Sequence, residues 1–542
     1  MTALIGIMVS AAPSILVAAA TITLLITFLD LIRRLFSNAS LPSNLPWVGV
    51  GEHNNYLGRA KANLASFFHL PRLLDEGYVK YSKNDEIFVL PYFINGPQVV
   101  LPPSQLPWLV AQADDVLSQE HVNRQFLESD YSFFQANLVR HPVHPEIVQH
   151  ELTRKLGGFA DDIVDEARAG LDKYWGTDTE TWREVRVYDT LLLVVARMTL
   201  RVLMGLPLCR DSTFLFICSN FIRKVALTAA AISVFPRFLK PVVGPLFNVF
   251  DCILSHRCRS FIMPIIRERL GRPGKRDAEE EKKKAGPRDD YVQWAIDHAL
   301  AKPVAVPAEL DPRVIAARFL VLAFAAIQSS AITLTNALFD LAASRDRAAS
   351  LASMRDEVVR ETTAGAGAAA GWSKPALGRM ACVDSALRES LRLNGFIERG
   401  VMKMVVAPEG VTLPDGSHVP CGTKVGVSAY SVHRDDRNYP DAARFDALRF
   451  ARGDQDGEKE GVQKGPQRLV NTSETFLGFS HGPHACPGRF FAANQLKIAL
   501  GHIALLYDIE PIPERPANKW FFGHIAPPLT NTLRVRRSKM AN

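Results

Sequence analysis

One cysteine constrains this chain more than any other residue. Cys486 stands in the run Phe479-Ser480-His481-Gly482-Pro483-His484-Ala485-Cys486-Pro487-Gly488-Arg489, directly ahead of a helix-forming stretch from Phe490 to Leu505. Glycines there let the backbone approach a large planar group and adopt conformations closed to residues with a Cβ. The turn aims backbone N–H groups at the sulfur. Together with the N-terminus of the following helix, these dipoles are expected to lower the thiol pKa and hold a thiolate, the form that ligates a metal. Two plainer readings stay open at this point. A lone buried cysteine is ordinarily an inert small hydrophobe. His481, His484 and Cys486 can also be read as a zinc cluster, although structural zinc needs four ligands and no partner pair is visible in the sequence.

Three earlier segments bear on the choice. Glu389-Ser390-Leu391-Arg392 falls in a helical segment from about Met380 to Leu393. Residues three apart on a helix share a face, so this acid and base can pair; alone, they read as a solvated surface pair. Phe445-Asp446-Ala447-Leu448-Arg449-Phe450 supplies another arginine. The apolar run from Arg313 to Ala343 reads as a helix by its length and its Ala and Leu content. In its middle, Phe324-Ala325-Ala326-Ile327-Gln328-Ser329-Ser330 offers small residues that let a helix pass close over a flat cofactor; a core helix needs no more than that.

The pattern Phe479-x-x-Gly482-x-x-x-Cys486-x-Gly488 resembles the haem-binding loop of the cytochrome P-450 superfamily, the haem-thiolate monooxygenases, and the other segments lie in the order that resemblance requires. The resemblance implies a mainly α fold: one large helical domain with a small β-rich region. It makes Cys486 the axial ligand of haem b, whose thiolate donates electron density that favours O–O cleavage. It places Phe479 near the haem and lets Gly482 and Gly488 shape the loop. It implies a buried charge network of Glu389, Arg392 and Arg449 behind the cofactor, though Ala447 stands where the family usually has Pro. His484 stands where many members have Arg and is a propionate donor of shorter reach; Arg154, in the helical run Glu146 to Leu156, is a second candidate. In the oxygen-activating helix the family usually carries an acid and a Thr. Here Gln328 replaces the acid and Ser329 the Thr, so a hydroxyl survives and a carboxylate does not.

Nothing between Met1 and Leu29 is charged, and the stretch Leu4 to Leu29 exceeds the roughly 20 residues that cross a bilayer. It reads as a membrane anchor rather than a cleaved signal, because the basic residues Arg33 and Arg34 come after it. By the positive-inside rule they keep the remainder of the chain in the cytosol. Residues 1–34 are thus expected to be the anchor, 35–52 a Pro-containing hinge around Leu41 to Gly49, and 53–542 the catalytic domain, on the endoplasmic reticulum membrane by resemblance. Asn38-Ala39-Ser40 fits a glycosylation sequon that stays unmodified on the cytosolic side. Seven cysteines, an odd number without framework spacing, suit reduced thiols in that compartment.

The net charge of +7 suits an anionic membrane surface and an acidic electron donor. Nucleic acid is not expected as a partner. The densest charge run, Arg267 to Asp290, mixes Glu279-Glu280-Glu281 with Lys282-Lys283-Lys284 and reads as a solvated linker. The tract Thr363 to Gly371 reads as a flexible insertion. Asp211 to Ile266 is apolar and interrupted by Pro236, Pro241, Pro245 and Pro264; it reads as core helices or, by resemblance, as a substrate-access lid touching the membrane. Val411 to Gly416 followed by Thr423 to Tyr430 predicts a hairpin around Asp415-Gly416. Phe521 to Pro528 resembles the turn that closes the substrate pocket.

The chain is therefore expected to take electrons from NADPH through cytochrome P-450 reductase, with cytochrome b5 as a further donor, and to insert one atom of O2 into a hydrophobic secondary metabolite. The resemblance points to filamentous-fungal members and to terpenoid, indole alkaloid or polyketide scaffolds. Two other readings remain: a haem-thiolate isomerase or dehydratase that needs no O2 activation, which Gln328 permits, and a non-enzymatic membrane haem protein.

Overall fold

The computed structural model describes residues 2–36, 41–51, 55–132, 143–271, 289–301, 307–363, 371–452, 467–521 and 524–539. The sequon at Asn38, the central part of the charge run (272–288), the Ala/Gly tract 364–370 and the dipeptide Phe522-Gly523 lie outside them. The chain forms two compact units. The first comprises Met1–Ala136, Val225–Phe250 and Met402–Gly426; the second comprises Asn137–Lys224, Asp251–Val401 and Val427–Asn542.

In the first unit the apolar N-terminal stretch is a single helix, Thr2–Leu35. Its side chains Val17, Ile22, Leu25 and Phe28 are exposed. The helix end is fixed by Arg34, which pairs with Asp30 at 2.7 Å and donates to the carbonyls of Ile94 and Phe235, each at 3.0 Å. Helix Tyr56–Lys80 starts where Asn55 accepts from the Gly58 N–H at 2.7 Å. It kinks at His69, two residues before Pro71, whose missing N–H and ring break the ladder. Gly77 lets it sit on the sheet, since a Cβ there would stand 2.3 Å from the Phe88 ring. That sheet runs in the order Phe88–Leu90, Gln98–Leu101, Lys424–Val427, Gly400–Val405, Leu117–Ser118.

The second unit is built on helix Pro312–Ala343, capped by Asp311 accepting from the Arg313 N–H at 2.8 Å. From Ser330 to Ala342 every residue is buried, so the helix is covered all round, as its lack of a polar face requires. Around it pack Val187–Leu203, Ala381–Asn394 and Arg489–Leu506. A three-stranded antiparallel sheet (Arg183–Arg186, Thr532–Arg537, Tyr507–Ile509) and the hairpin Lys519–Phe521 with His524–Ala526 complete it.

Three local expectations need correction. The turn at Asp415-Gly416 pairs Val411–Thr412 with His418–Val419, because a tight turn brings the nearest residues together; Lys424–Val427 joins the five-stranded sheet instead. Pro245 and Pro264 do not end helices. The apolar region forms Ser212–Val234, Lys240–Phe247 and Val249–Leu270, with both prolines inside, and the breaks come around Pro236 and at Asn248. The continuous helix expected from Glu146 to Leu156 is broken into His144–Ile147, a π turn Val148–Leu152, Thr153–Lys155 and a 3-10 turn that begins at Leu156 and contains Gly157-Gly158.

Candidate active site

The cysteine loop closes on itself before the helix begins. The Cys486 N–H donates to the Phe479 carbonyl at 2.9 Å, Gly482 adopts φ +77°, and Gly482–His484 forms one 3-10 turn. Helix Arg489–Leu506 follows with Gly488 as its N-cap. N–H groups of Gly488 and Arg489 face the sulfur and favour its thiolate, as the sequence implies. Burial outweighs them. Desolvation raises the Cys486 thiol above its ordinary value, against the pull of those N–H groups and of the Arg489 charge. Among the described residues no three His, Cys, Asp or Glu side chains gather to hold a metal ion. His481 bonds to the Thr472 hydroxyl at 3.0 Å, while His484 is half-buried in the loop.

The residues present fit a haem. Helix Pro312–Ala343 is otherwise a core element, yet in its middle Ala325 is exposed and Phe324, Ala326, Gln328 and Ser329 are partly so. Such a gap in an apolar core helix, lined by small side chains, leaves room for a flat macrocycle. A Cβ on Gly488 would meet nothing within 4 Å, so the cysteine turn also borders open space. Gly488 has φ −87°, which any residue adopts, so room and not conformation is what a glycine provides there.

Gln328 does not reach out as a free amide. The Tyr188 hydroxyl donates to its Oε1 at 3.0 Å, and Tyr188 is buried beneath Arg223, which pairs with Asp189 at 2.8 Å. Ser329 donates its hydroxyl to the Ala325 carbonyl one turn back, at 2.7 Å. Ser330 is buried.

The three charged residues do come together. Glu389 and Arg392, 0 % and 1 % exposed, form a two-pronged pair at 2.8 Å and 2.8 Å; the Arg449 Nε donates to Glu389 Oε1 at 2.9 Å. The Asp446 N–H also donates to that carboxylate at 3.2 Å, and Ala447 is buried. Arg392 further donates to the carbonyls of His433 and Ala442, so its donors are spent inside the protein. The solvated-pair alternative is excluded by this burial. Arg154, by contrast, is 70 % exposed at its side chain and bound to Glu151 at 2.8 Å. Nothing in this arrangement turns it towards the cysteine loop.

Two participants have no motif to announce them. One is Tyr188. The other is His433, which joins the charge network to the segment leading into the loop: its Nε2 accepts the Leu477 N–H at 2.9 Å and its Nδ1 lies 3.1 Å from the Arg392 carbonyl. A backbone N–H only donates, so the proton sits on Nδ1. Burial, and then the charges of Arg392 and Arg434, push its pKa down to about 3. Nearby, the Arg388 guanidinium lies 3.7 Å from the centre of the Phe476 ring.

The family model for cytochrome P-450 matches residues 129–533. Cytochrome P-450 monooxygenase gloP of Glarea lozoyensis is 31% identical over 507 residues, covering 91% of this chain and 91% of that protein. Monooxygenase polB of Polytolypa hystricis is 31% identical, covering 92% and 94%. Monooxygenase 151 of Postia placenta is 34% identical, covering 84% and 86%. With the cysteine loop, the buried Glu389–Arg392–Arg449 network and the core helix with its exposed middle in one unit, these matches make the chain a member of the cytochrome P-450 family, a haem-thiolate monooxygenase.

Proposed function

We propose that this protein is a membrane-anchored monooxygenase supplied with electrons by NADPH through cytochrome P-450 reductase, with cytochrome b5 as a further donor. It hydroxylates an apolar secondary metabolite of the terpenoid, indole alkaloid or polyketide class. The observation that carries the reading is the Cys486 loop, with two N–H groups on the sulfur at the head of helix Arg489–Leu506. Haem bound there supplies the activation of O2. The balance is substrate, O2, NADPH and a proton in, and alcohol, water and NADP⁺ out.

The chain's own residues hold the cofactor and move protons. Cys486 would be the ligand, with Phe479, Gly482 and Gly488 forming its turn, and His484 would hold a propionate. Arg154 would serve the other only on leaving Glu151. Glu389, Arg392 and Arg449 brace the loop from behind through His433. Tyr188 fixes the carbonyl end of the Gln328 amide, which leaves the NH2 end to hold a water. The Ser329 hydroxyl keeps its lone pairs open while bonded to Ala325, so it accepts from that water and delivers a proton by turning away from the carbonyl. General acid help of this kind is worth about 10²–10⁴-fold.

The membrane reading, an endoplasmic reticulum anchor with a cytosolic catalytic domain, is supported by the charge-free start of helix Thr2–Leu35, the basic pair in its last turn and its exposed apolar side chains. Phe238, Val242, Leu246 and Phe250 are 63 to 67 % exposed and give the first unit a second lipid-facing surface, as expected of an access lid. Ser212–Val234 and Pro312–Ala343 are also long and apolar enough to cross a bilayer, but most of each is buried in the protein, and they serve as core helices.

The test is turnover of candidate terpenoids, indoles and polyketides by the protein reconstituted with reductase, under ¹⁸O2. One labelled oxygen per product, dependent on NADPH, is expected. Product formed without NADPH and O2 would replace the reading by an isomerase, which the missing carboxylate at Gln328 would then explain.

A further inference from the structure

The first unit carries an open cavity of about 820 Å³ whose lining residues the proposed chemistry does not use. Its walls are charged, and unevenly so. Arg33 and Arg34 share the single carboxylate of Asp30 at 2.8 and 2.7 Å; Lys240 pairs with Glu128 at 2.5 Å and Arg124 with Asp130 at 2.9 Å. Arg237, exposed on the same wall, has no acidic partner among the described residues. Five cations therefore face three carboxylates, a surplus of two. The wall is also polar beyond what the protein satisfies. Asn63, 2 % exposed, gives its Nδ2 to the Leu35 carbonyl at 3.0 Å while, among the described residues, its Oδ1 has no partner, and neither have Gln125 Oε1 and Arg124 Nε. An anion with hydrogen-bonding groups of its own answers both features.

The surroundings say which anion. Arg33 and Arg34 close the helix whose uncharged span, Leu4 to Leu29, is about 39 Å long at 1.5 Å per residue, so they end it at the level of lipid headgroups. On the other side the wall continues through Phe238, 67 % exposed, into the apolar surface of Val242 and Leu246. A free phosphate would use the cations and leave that surface in water. We propose that the cavity holds the phosphate headgroup of one anionic phospholipid, with its acyl chains lying along Phe238, Val242 and Leu246. The inference rests on the membrane-anchor reading.

The experiment uses the full-length haem protein. Flotation with neutral phosphatidylcholine vesicles tests the anchor alone: wild type and the Arg33→Ala/Arg237→Ala variant should both float, and failure of both would refute the anchor and leave the cavity result to be read separately. The headgroup is tested by native mass spectrometry after release from phosphatidylcholine nanodiscs doped with phosphatidic acid. One phosphatidic acid per chain should be retained over phosphatidylcholine. Each exposed cation removed should weaken retention about five-fold, and the double variant roughly twenty-five-fold, with an unchanged Soret spectrum. Equal retention of the two lipids, undiminished retention by the double variant, or displacement by inorganic phosphate would each overturn the proposal, the last by making the occupant free phosphate.

Discussion

His433→Leu should cost stability at neutral pH and much less in acid. The imidazole lies 2 % exposed between the Arg392 carbonyl and the Leu477 N–H. Leucine fills similar volume and answers neither group, which at about 1–3 kcal/mol for each buried orphan removes roughly 2–6 kcal/mol at pH 7.5. The histidine also carries a liability. Its native pKa is pushed down from 6.5 to about 3, so the native protein stays neutral there while the unfolded chain takes up a proton below pH 6.5. Stability from a depressed pKa is complete above 6.5 and drains away as pH falls towards 3. At pH 5 the unfolded state gains RT ln(1 + 10^1.5), about 2 kcal/mol, which the leucine variant escapes. The gap between wild type and variant should therefore shrink by about 2 kcal/mol between pH 7.5 and pH 5. Urea unfolding of the haem-loaded protein in detergent, followed by tryptophan fluorescence and by the Soret band, measures it. Titrations elsewhere cancel in the difference. A gap that stays constant would show that His433 is not held neutral, and one that widens would show that it is charged in the folded protein.

Other outcomes rest on the same geometry. Cys486→Ala should abolish the red-shifted Soret band of the ferrous CO complex; its survival would move the ligand elsewhere. Glu389→Ala and Arg449→Ala should yield little haem-loaded protein, since breaking a buried ion pair costs about 3–5 kcal/mol, and normal haem content in both would contradict the bracing role. Ser329→Ala should keep substrate-induced spectral shifts while diverting NADPH electrons to hydrogen peroxide, with Gln328→Ala milder; unchanged coupling in Ser329→Ala would route protons through another group. Deleting residues 1–34 should release the protein only partly from membranes, because Phe238, Val242, Leu246 and Phe250 remain; complete solubility would remove them as a contact.

How far these residues are legible in the sequence depends on distance along the chain. The helix carrying Glu389 and the apolar core helix lie within a residue of their expected limits, because length and side-chain periodicity are local properties. The cysteine turn is legible for the same reason. The Glu389–Arg392 pair can be placed on one face, but only the fold shows it sealed from water and joined by Arg449 from sixty residues away. Tyr188 and Gln328 are separated by 140 residues, and no pattern links them. In the sequence His433 looks like any histidine after an apolar stretch. The π turn that breaks the helix ahead of Arg154 leaves no mark in the local pattern. The shift of the Cys486 thiol has the opposite sign to the one its motif suggests, because burial depends on everything packed around the loop, which no local motif contains.

The pinning of the N-terminal helix has a mechanical side. Arg34 ties its end to the backbone at Ile94 and Phe235, and beyond the connector Val48 donates to Val89 while the Val89 N–H donates to Pro46. The stretch expected to swivel is therefore clamped at both ends. On the proposed membrane reading, a helix held this way would act as a lever arm: a thinner or thicker bilayer that changes its tilt would pass torque through one guanidinium to the loop bearing Phe235 and Phe238. Lipid thickness would then be an input to the proposed access lid.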